Sequence, residues 1–265
     1  MNQNAILMEA TNLTKVYSRG SEKIPAVNDV SLQINKGDFI SIIGPSGSGK
    51  TTLVNLLGCL DNPTSGELYL ENRSIFGKAK RLSERELTKI RRKIFGYIFQ
   101  NFYLIPTLTV LENVMLPLTF YRKPNTENET LRLLKLLGMD HRKDHLPGQI
   151  SGGEMQRVAI ARAMVNKPEI LIADEPTGNL DTNRSIEIVQ VLKEINRSAG
   201  LTIIMVTHNQ ELARHADRLF EMKDGQIYQM LNQGLVTEQC LSSPSVNKEI
   251  SKQQDKLYKN QGGML

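Results

Sequence analysis

The chain has 265 residues, of which 40% are hydrophobic, and its formal net charge is +5. This length and apolar content suffice for a buried core without disulfides, and the two cysteines, Cys59 and Cys240, lie far apart without metal-binding spacing. No apolar run is long enough to span a bilayer, and the N-terminus lacks the charged start of a signal peptide, so neither a membrane-spanning nor a disulfide-scaffold protein is expected. The moderate positive charge permits an acidic partner without requiring one.

The N-terminal part predicts β structure. Apolar and polar residues alternate over about 7–17 and 30–34, which indicates two half-buried strands, with a polar loop at 18–23 between them. We expect these strands to pair antiparallel.

The next segment predicts a phosphate-binding loop. An apolar strand at 39–43 leads into a glycine-rich loop and then a helix, and glycines let the backbone fold so that successive N–H groups point at an anion. The helix N-terminus and the Lys50 ammonium add positive charge, and the Thr51 hydroxyl suits Mg²⁺. The alternative is a plain glycine-rich turn. The predicted nucleotide-binding residues are Gly44, Pro45, Ser46, Gly47, Ser48, Gly49, Lys50, Thr51 and Thr52.

A charged helix is predicted after a turn at 61–66 and a short strand at 67–70. It covers 83–93, and Ser83 and Glu86 are spaced as a capping box. Basic residues are densest between Lys78 and Lys93. We interpret them as a solvated helix face, with a membrane-proximal or partner-facing patch as the alternative.

The rest of the chain predicts a helical insertion and then the return of an α/β core. A strand at 95–100 leads into an apolar region and an amphipathic helix at 125–137, and we expect a helical subdomain over about 90–160. Buried strands at 170–175 and 202–207 flank a helix at 183–198, which implies parallel pairing. Short strands at 218–222 and 226–230 close the core, and a loosely held polar tail is expected from about Gly234.

Two acidic residues end the strand at 170–175. A carboxylate in the place of Asp174 is unfavourable unless it is compensated, and Mg²⁺ bound to ATP phosphates would do this. Glu175 could polarise the water that attacks the γ-phosphate. The alternative is a pair of exposed turn acids.

A second predicted anion site lies at the start of another helix. Ser151 is a suitable N-cap, and Gly152 and Gly153 expose N–H groups at that helix N-terminus. The alternative is an ordinary capped turn.

Taken in order, these segments resemble the motifs of the ATP-binding subunit of ABC transporters, from about residue 7 to 230. The matching segments are 44–52 as Walker A, Gln100 as the Q-loop, 151–154 as the signature, 170–175 as Walker B, 179–181 as the D-loop and His208 as the switch. The resemblance implies an α/β fold with a P-loop NTPase (RecA-like) core, an antiparallel β subdomain and an inserted helical subdomain. It implies an ATPase domain at 1–233, with its core at about 1–89 and 161–233, and a tail at 234–265.

The same resemblance implies roles for single residues. Tyr17 would stack on adenine, although a strand tyrosine is more often only half-buried. Gln100 would contact Mg²⁺ and the attacking water and would begin the segment that senses the membrane subunit. His208 would contact the γ-phosphate, although a lone histidine often only hydrogen bonds at a strand end. Two chains would face head to tail, so that Ser151 and Gly153 of one chain complete the ATP site begun by Lys50 of the other. Gly152 and Asp181 are also expected to bind nucleotide.

Two departures from the common motifs point to one branch of the family. The signature begins with Ile150 rather than leucine and ends with Glu154 rather than glutamine. The second departure is the D-loop run 175–181, which, with the segments 99–106 and 111–114, resembles the branch of macrolide exporters, lipoprotein-release complexes, bacitracin-type peptide resistance systems and the cell-division ATPase.

The expected function is therefore an ATPase subunit that drives a separate bacterial membrane permease from the cytoplasmic face of the membrane. The alternative is a non-transport ABC ATPase in signalling or cell division. A nucleic-acid partner is not expected, because the long coiled-coil insertion or second ATPase unit that such a machine usually needs is missing.

Overall fold

A computed structural model of the protein describes residues 5–77, 82–119, 126–231 and 234–239. The strands of the described residues are β1 (Ile6–Arg19), β2 (Glu22–Asn35), β3 (Phe39–Ile43), β4 (Ser65–Leu70), β5 (Arg73–Phe76), β6 (Phe95–Phe99), β7 (Ile170–Asp174), β8 (Thr202–Val206), β9 (Arg218–Lys223), β10 (Gln226–Leu231) and β11 (Gly234–Gln239). The α-helices are α1 (Lys50–Leu57), α2 (Glu84–Ile94), α3 (Val110–Thr119), α4 (Thr126–Leu136), α5 (Gly152–Met164), α6 (Thr182–Ala199) and α7 (Gln210–Ala213).

A four-stranded antiparallel sheet has the order β2-β1-β4-β5. The predicted pairing of the first two strands is confirmed, with Ala10 opposite Leu32. Both strands are longer than predicted because the polar residues 18–19 and 22–23 also pair, which leaves a tight turn in which Gly20 has φ +63°. Glycine takes this left-handed conformation without strain.

A seven-stranded sheet forms the core, in the order β11-β10-β9-β3-β8-β7-β6. The strands β9, β3, β8, β7 and β6 run parallel. Every residue of β3 and β8 is buried, which explains why the two strands are apolar except for Ser41 and Thr202. The predicted parallel pairing of β7 and β8 is confirmed, so the loops that follow β3, β7 and β8 lie at one edge of the sheet.

The helices α3, α4 and α5 pack on one another beside this sheet. Their apolar side chains share a core with β7, β8 and α6 through residues such as Val114, Leu134 and Ile160. The strand β6 falls inside the predicted helical subdomain, but it pairs with β7 in the core sheet, so the boundary at about residue 90 is wrong for this strand. The insertion leaves the sheet only after Phe99.

The C-terminal end of the core sheet extends further than the sequence indicates. The predicted short strands correspond to β9 and β10, and β11 then pairs antiparallel with β10. The start of the expected loose tail is therefore wrong for residues 234–239, because their backbone groups pair with the edge of the sheet. The rest of that tail, 240–265, lies outside the described residues. Within the described part of the chain, no helix is long and apolar enough to cross a bilayer.

Candidate functional site

The loop between β3 and α1 has a backbone that requires glycine. Gly44 and Gly49 have φ values of +148° and +102°. A Cβ atom at Gly44 would lie 2.1 Å from the carbonyl oxygen of Met222, and one at Gly49 would lie 1.9 Å from that of Ala26. The loop is thus pressed against β9 and β2, and no larger residue fits at these two positions without a shift of the backbone.

The Lys50 side chain is held inside this loop. Its ammonium donates hydrogen bonds to the carbonyl oxygens of Gly44 at 2.9 Å and Pro45 at 2.8 Å, and the residue is only 6% exposed. The Ser48 hydroxyl is buried and has no hydrogen-bond partner among the described residues. A buried cation and an unpaired hydroxyl in one loop are suited to bind an anion, because each gains an acceptor.

A cleft of about 450 Å³ opens at this loop. Its walls come from the phosphate loop, from β2 and from the segments that follow β7 and β8. The lining residues are Ala26, Ser46, Gly47, Gly49, Lys50, Thr51, Thr52, Glu175 and His208. The cleft therefore brings together most of the predicted phosphate loop, the predicted base and the predicted switch histidine.

Thr51 and Asp174 form a pair of oxygen donors at the edge of the cleft. The Thr51 hydroxyl donates to Asp174 Oδ1 at 3.3 Å. Burial raises the pKa of Asp174, and the nearby Glu175 carboxylate adds to this effect, whereas Thr51 opposes it. A partly buried carboxylate beside a hydroxyl matches the ligands that Mg²⁺ prefers.

Glu175 has a strained backbone. Its φ is +49°, a region that residues with a side chain rarely adopt, and its N–H donates to the carbonyl oxygen of Val206 at 3.0 Å. Its carboxylate Oε2 lies 2.9 Å from Nδ1 of His208. Strain of this kind is retained where a function requires the geometry. The left-handed backbone of Glu175 directs its carboxylate into the cleft.

Gln100 lies outside the lining of this cleft. It follows β6, and its side chain rests on Gly178, because a Cβ at Gly178 would lie 2.6 Å from Gln100 Nε2. The Asn179 amide donates to the main-chain carbonyl of Gln100 at 3.0 Å and to Asn101 Oδ1 at 3.1 Å. These contacts attach Gln100 to the loop between β7 and α6. Its predicted contact with Mg²⁺ stays a prediction.

The second predicted anion site lies at the N-terminus of α5, and its residues are also outside the cleft lining. Ser151 caps the helix as predicted: its hydroxyl accepts from Glu154 N at 3.4 Å, and its own N–H donates to Glu154 Oε2 at 2.8 Å. Hydrogen bonds from the Ser151 N–H and hydroxyl, together with the nearby Arg142, lower the pKa of the Glu154 carboxyl to about 2. A Cβ at Gly152 would lie 3.3 Å from the Leu180 side chain. The helix tip therefore packs on the loop before α6.

Two further predicted residues have local roles in the structure. Asp181 is the N-cap of α6, where its carboxylate accepts from Arg184 N at 3.0 Å. The Tyr17 ring lies 5.0 Å from the Lys15 ammonium, and its hydroxyl donates to Asp61 at 2.9 Å. Their predicted contacts with nucleotide stay predictions.

Two residues of this region could not be recognised from the sequence. Ala26 lines the cleft from β2, and a small apolar residue in a strand carries no functional signal. Arg162 of α5 donates to the main-chain carbonyls of Phe102 at 2.7 Å and Tyr103 at 2.5 Å. It therefore ties the signature helix to the segment after Gln100. An arginine in the last turn of a helix is too common to suggest this role.

A glycine loop between a parallel strand and a helix, with a carboxylate at the end of a nearby parallel strand, defines a P-loop nucleoside triphosphatase. The family model of the ABC transporter matches residues 27–178. An uncharacterized ABC transporter ATP-binding protein of Methanocaldococcus jannaschii, MJ0796, is 48% identical over 227 residues, which are 83% of this chain and 95% of the relative. A second such protein of that organism, MJ1508, is 45% identical over 85% of this chain and 100% of its own length.

Larger relatives and solved structures agree with this match. A macrolide export ATP-binding/permease protein, MacB, of Rhodopirellula baltica is 42% identical over 86% of this chain, which spans 33% of that relative. The dimeric structure of MJ0796 superposes with a TM-score of 0.77 at 44% identity and covers 86% of this chain and 100% of that one. The MJ0796 dimer bound to ADP and Pi, described as a post-hydrolysis state, superposes with a TM-score of 0.76. The chain belongs to the ABC transporter family, as an ATP-binding subunit with ATPase activity.

Proposed function

We propose that this chain is the ATPase subunit of a bacterial ABC transporter that acts as a dimer and drives a membrane permease in export, lipoprotein release or antimicrobial-peptide resistance. The observation that supports a dimer is the separation of two predicted phosphate-binding groups. Lys50 lies in the cleft, whereas Ser151 and Gly153 lie at the tip of α5, outside its lining. Two copies arranged head to tail would unite both groups around one nucleotide. The dimeric structures of MJ0796 support this arrangement.

The residues of the cleft have different roles in hydrolysis. Lys50 and the N–H groups of its loop hold the phosphates, and His208 contacts the γ-phosphate. Glu175 accepts the proton of the attacking water, and its hydrogen bond to His208 holds the carboxylate in position. Mg²⁺, when bound to Thr51 and Asp174, would neutralise phosphate charge, and Gln100 would approach it from the neighbouring loop.

The partner surface for the permease is an apolar groove of about 530 Å³ next to Gln100. Its walls include Phe95, Tyr97, Phe99 and Pro117, with Arg162 among them. Apolar grooves with a few charged groups are typical protein-binding sites. The Arg162 bonds to the segment after Gln100 would link an occupant of this groove to the signature helix. The chain would then lie at the cytoplasmic face of the membrane, held by the permease.

The dimer proposal is tested with the Glu175→Gln variant, which is expected to retain ATP. Light scattering should show ATP-dependent dimers of this variant. Adding Gly153→Asp should abolish the dimers, because the carboxylate repels phosphate, while binding of a fluorescent ATP analogue to the single chain persists. Gly148→Asp is the matched control, since position 148 is exposed and open. Full dimerisation of the Gly153→Asp variant would refute the two-chain site.

A further inference from the structure

We propose that the basic face of α2 binds the anionic headgroups of a membrane surface directly. This face consists of Arg85, Lys89, Arg92 and Lys93. The contact would be additional to the permease of the proposed function, and it requires neither nucleotide nor partner protein. It would orient the ATPase on the lipid surface beside its permease.

The four cations form one stripe on the helix. Their spacing of four, three and one residues keeps them within about 100° of the helix circumference, over a length of about 12 Å. All four are exposed, whereas Leu87 and Ile90 on the other side of the helix are buried in the core. The helix is thus fixed by its apolar side, and the stripe faces solvent.

The two acidic residues of α2 hydrogen bond to described groups outside this stripe. The helix has five basic and two acidic residues. Glu84 hydrogen bonds to Arg91, which lies outside the stripe and also donates to the Cys59 carbonyl oxygen at 2.9 Å. Glu86 accepts from the N–H of Ser83 at 2.9 Å in the capping box. Both carboxylates therefore have partners at the start or on the flank of the helix.

The surroundings of α2 favour a lipid surface over a solvated face or a nucleic acid. Arg92 lines the groove that the proposed function assigns to the permease, on which this placement rests, so the stripe lies next to the membrane partner. Basic residues close to a membrane are attracted by its anionic headgroups. A nucleic acid would be bound by a longer basic surface, because its affinity comes from many phosphate contacts.

The proposal is tested by sedimenting the full chain with vesicles, without nucleotide or permease. We compare vesicles of phosphatidylcholine with vesicles in which a third of the lipid is phosphatidylglycerol. The native chain should bind only the anionic vesicles, and salt should weaken the binding. Arg85→Gln combined with Lys89→Gln should weaken it roughly thirtyfold, which is the contribution of two basic residues at an anionic surface.

The control variant removes the same charge elsewhere. Arg132→Gln with Lys135→Gln alters two exposed cations of α4 and should leave vesicle binding near the native level. Equal losses in both double variants would show a general charge effect and overturn the proposal. So would equal binding of the native chain to both vesicle types, or tighter binding to a DNA duplex than to anionic vesicles. Binding of a fluorescent ATP analogue should be unchanged in both variants, so a failed lipid contact is distinguishable from a failed nucleotide site.

Discussion

Replacing Glu175 with glutamine should slow ATP hydrolysis while ATP binding persists. The Glu175 carboxylate lines the cleft with Lys50 and Thr51, and it is the only carboxylate among the residues that line it. A positioned general base contributes about 10²- to 10⁴-fold to a rate, so we expect turnover to fall by about this factor. Glutamine has the same shape and can still hydrogen bond to His208, so the geometry of the cleft should be kept.

The structure also predicts that this substitution has little effect on stability. The Glu175 and His208 side chains are 25% and 66% exposed, and exposed pairs of this kind contribute about 0–1 kcal/mol. A fall in turnover would therefore report chemistry rather than unfolding. The melting temperature, measured by circular dichroism, should stay near the native value.

The assay is steady-state phosphate release at saturating Mg²⁺ and ATP, with a parallel titration of a fluorescent ATP analogue. Glu187→Gln is the matched control, because it removes an exposed carboxylate from α6 that pairs with Arg157. That variant should hydrolyse ATP at the native rate. Turnover of the Glu175→Gln variant close to the native rate would refute the assignment of the base. Loss of ATP binding would refute the claim that Glu175 acts after binding.

Two further predictions concern α5. Replacing Arg162 with methionine leaves the carbonyls of Phe102 and Tyr103 without their charged donor, so it should lower the free energy of unfolding in urea by about 2 kcal/mol. Lysine at this position should recover part of the loss. An unchanged urea midpoint in the methionine variant would contradict the stabilising role of Arg162. The pKa of Glu154 is lowered to about 2, so its contribution to stability is complete above the unfolded value of about 4.3 and is lost as the pH falls to about 2. Glu154→Gln should therefore destabilise the protein most at neutral pH, and the difference in melting temperature should shrink between about pH 4.3 and 2; a constant difference would contradict this.

The parts of the fold that depend on local sequence were predicted well. The order of strand, loop and helix at 39–57 follows from an apolar run and the glycines, since the loop backbone at Gly44 and Gly49 admits no other residue. The cap at Ser151 was predicted because serine is a preferred N-cap residue, and in the structure Glu154 completes a capping box there. The strands β7 and β8 are mostly apolar because both faces of the sheet are covered.

The features that were missed depend on contacts between distant segments. The place of β6 in the sheet is set by its pairing with β7, more than 70 residues away in the sequence, and no local pattern encodes that partner. The same applies to Ala26, which reaches the cleft only because β2 packs against the phosphate loop. The left-handed backbone of Glu175 occurs together with a hydrogen bond to Val206 on the neighbouring strand, and glutamate has no intrinsic preference for it.

The two carbonyls that bind the Lys50 ammonium reduce the entropy that is lost when the loop binds an anion. A lysine side chain that becomes ordered loses about 1.5–2 kcal/mol of rotamer freedom. Folding has already fixed this one, because Gly44 and Pro45 bind its ammonium within the loop. An arriving phosphate therefore exchanges neutral acceptors for charged ones and need not immobilise a mobile chain. Preorganisation of this kind leaves more of the interaction energy to appear as binding affinity.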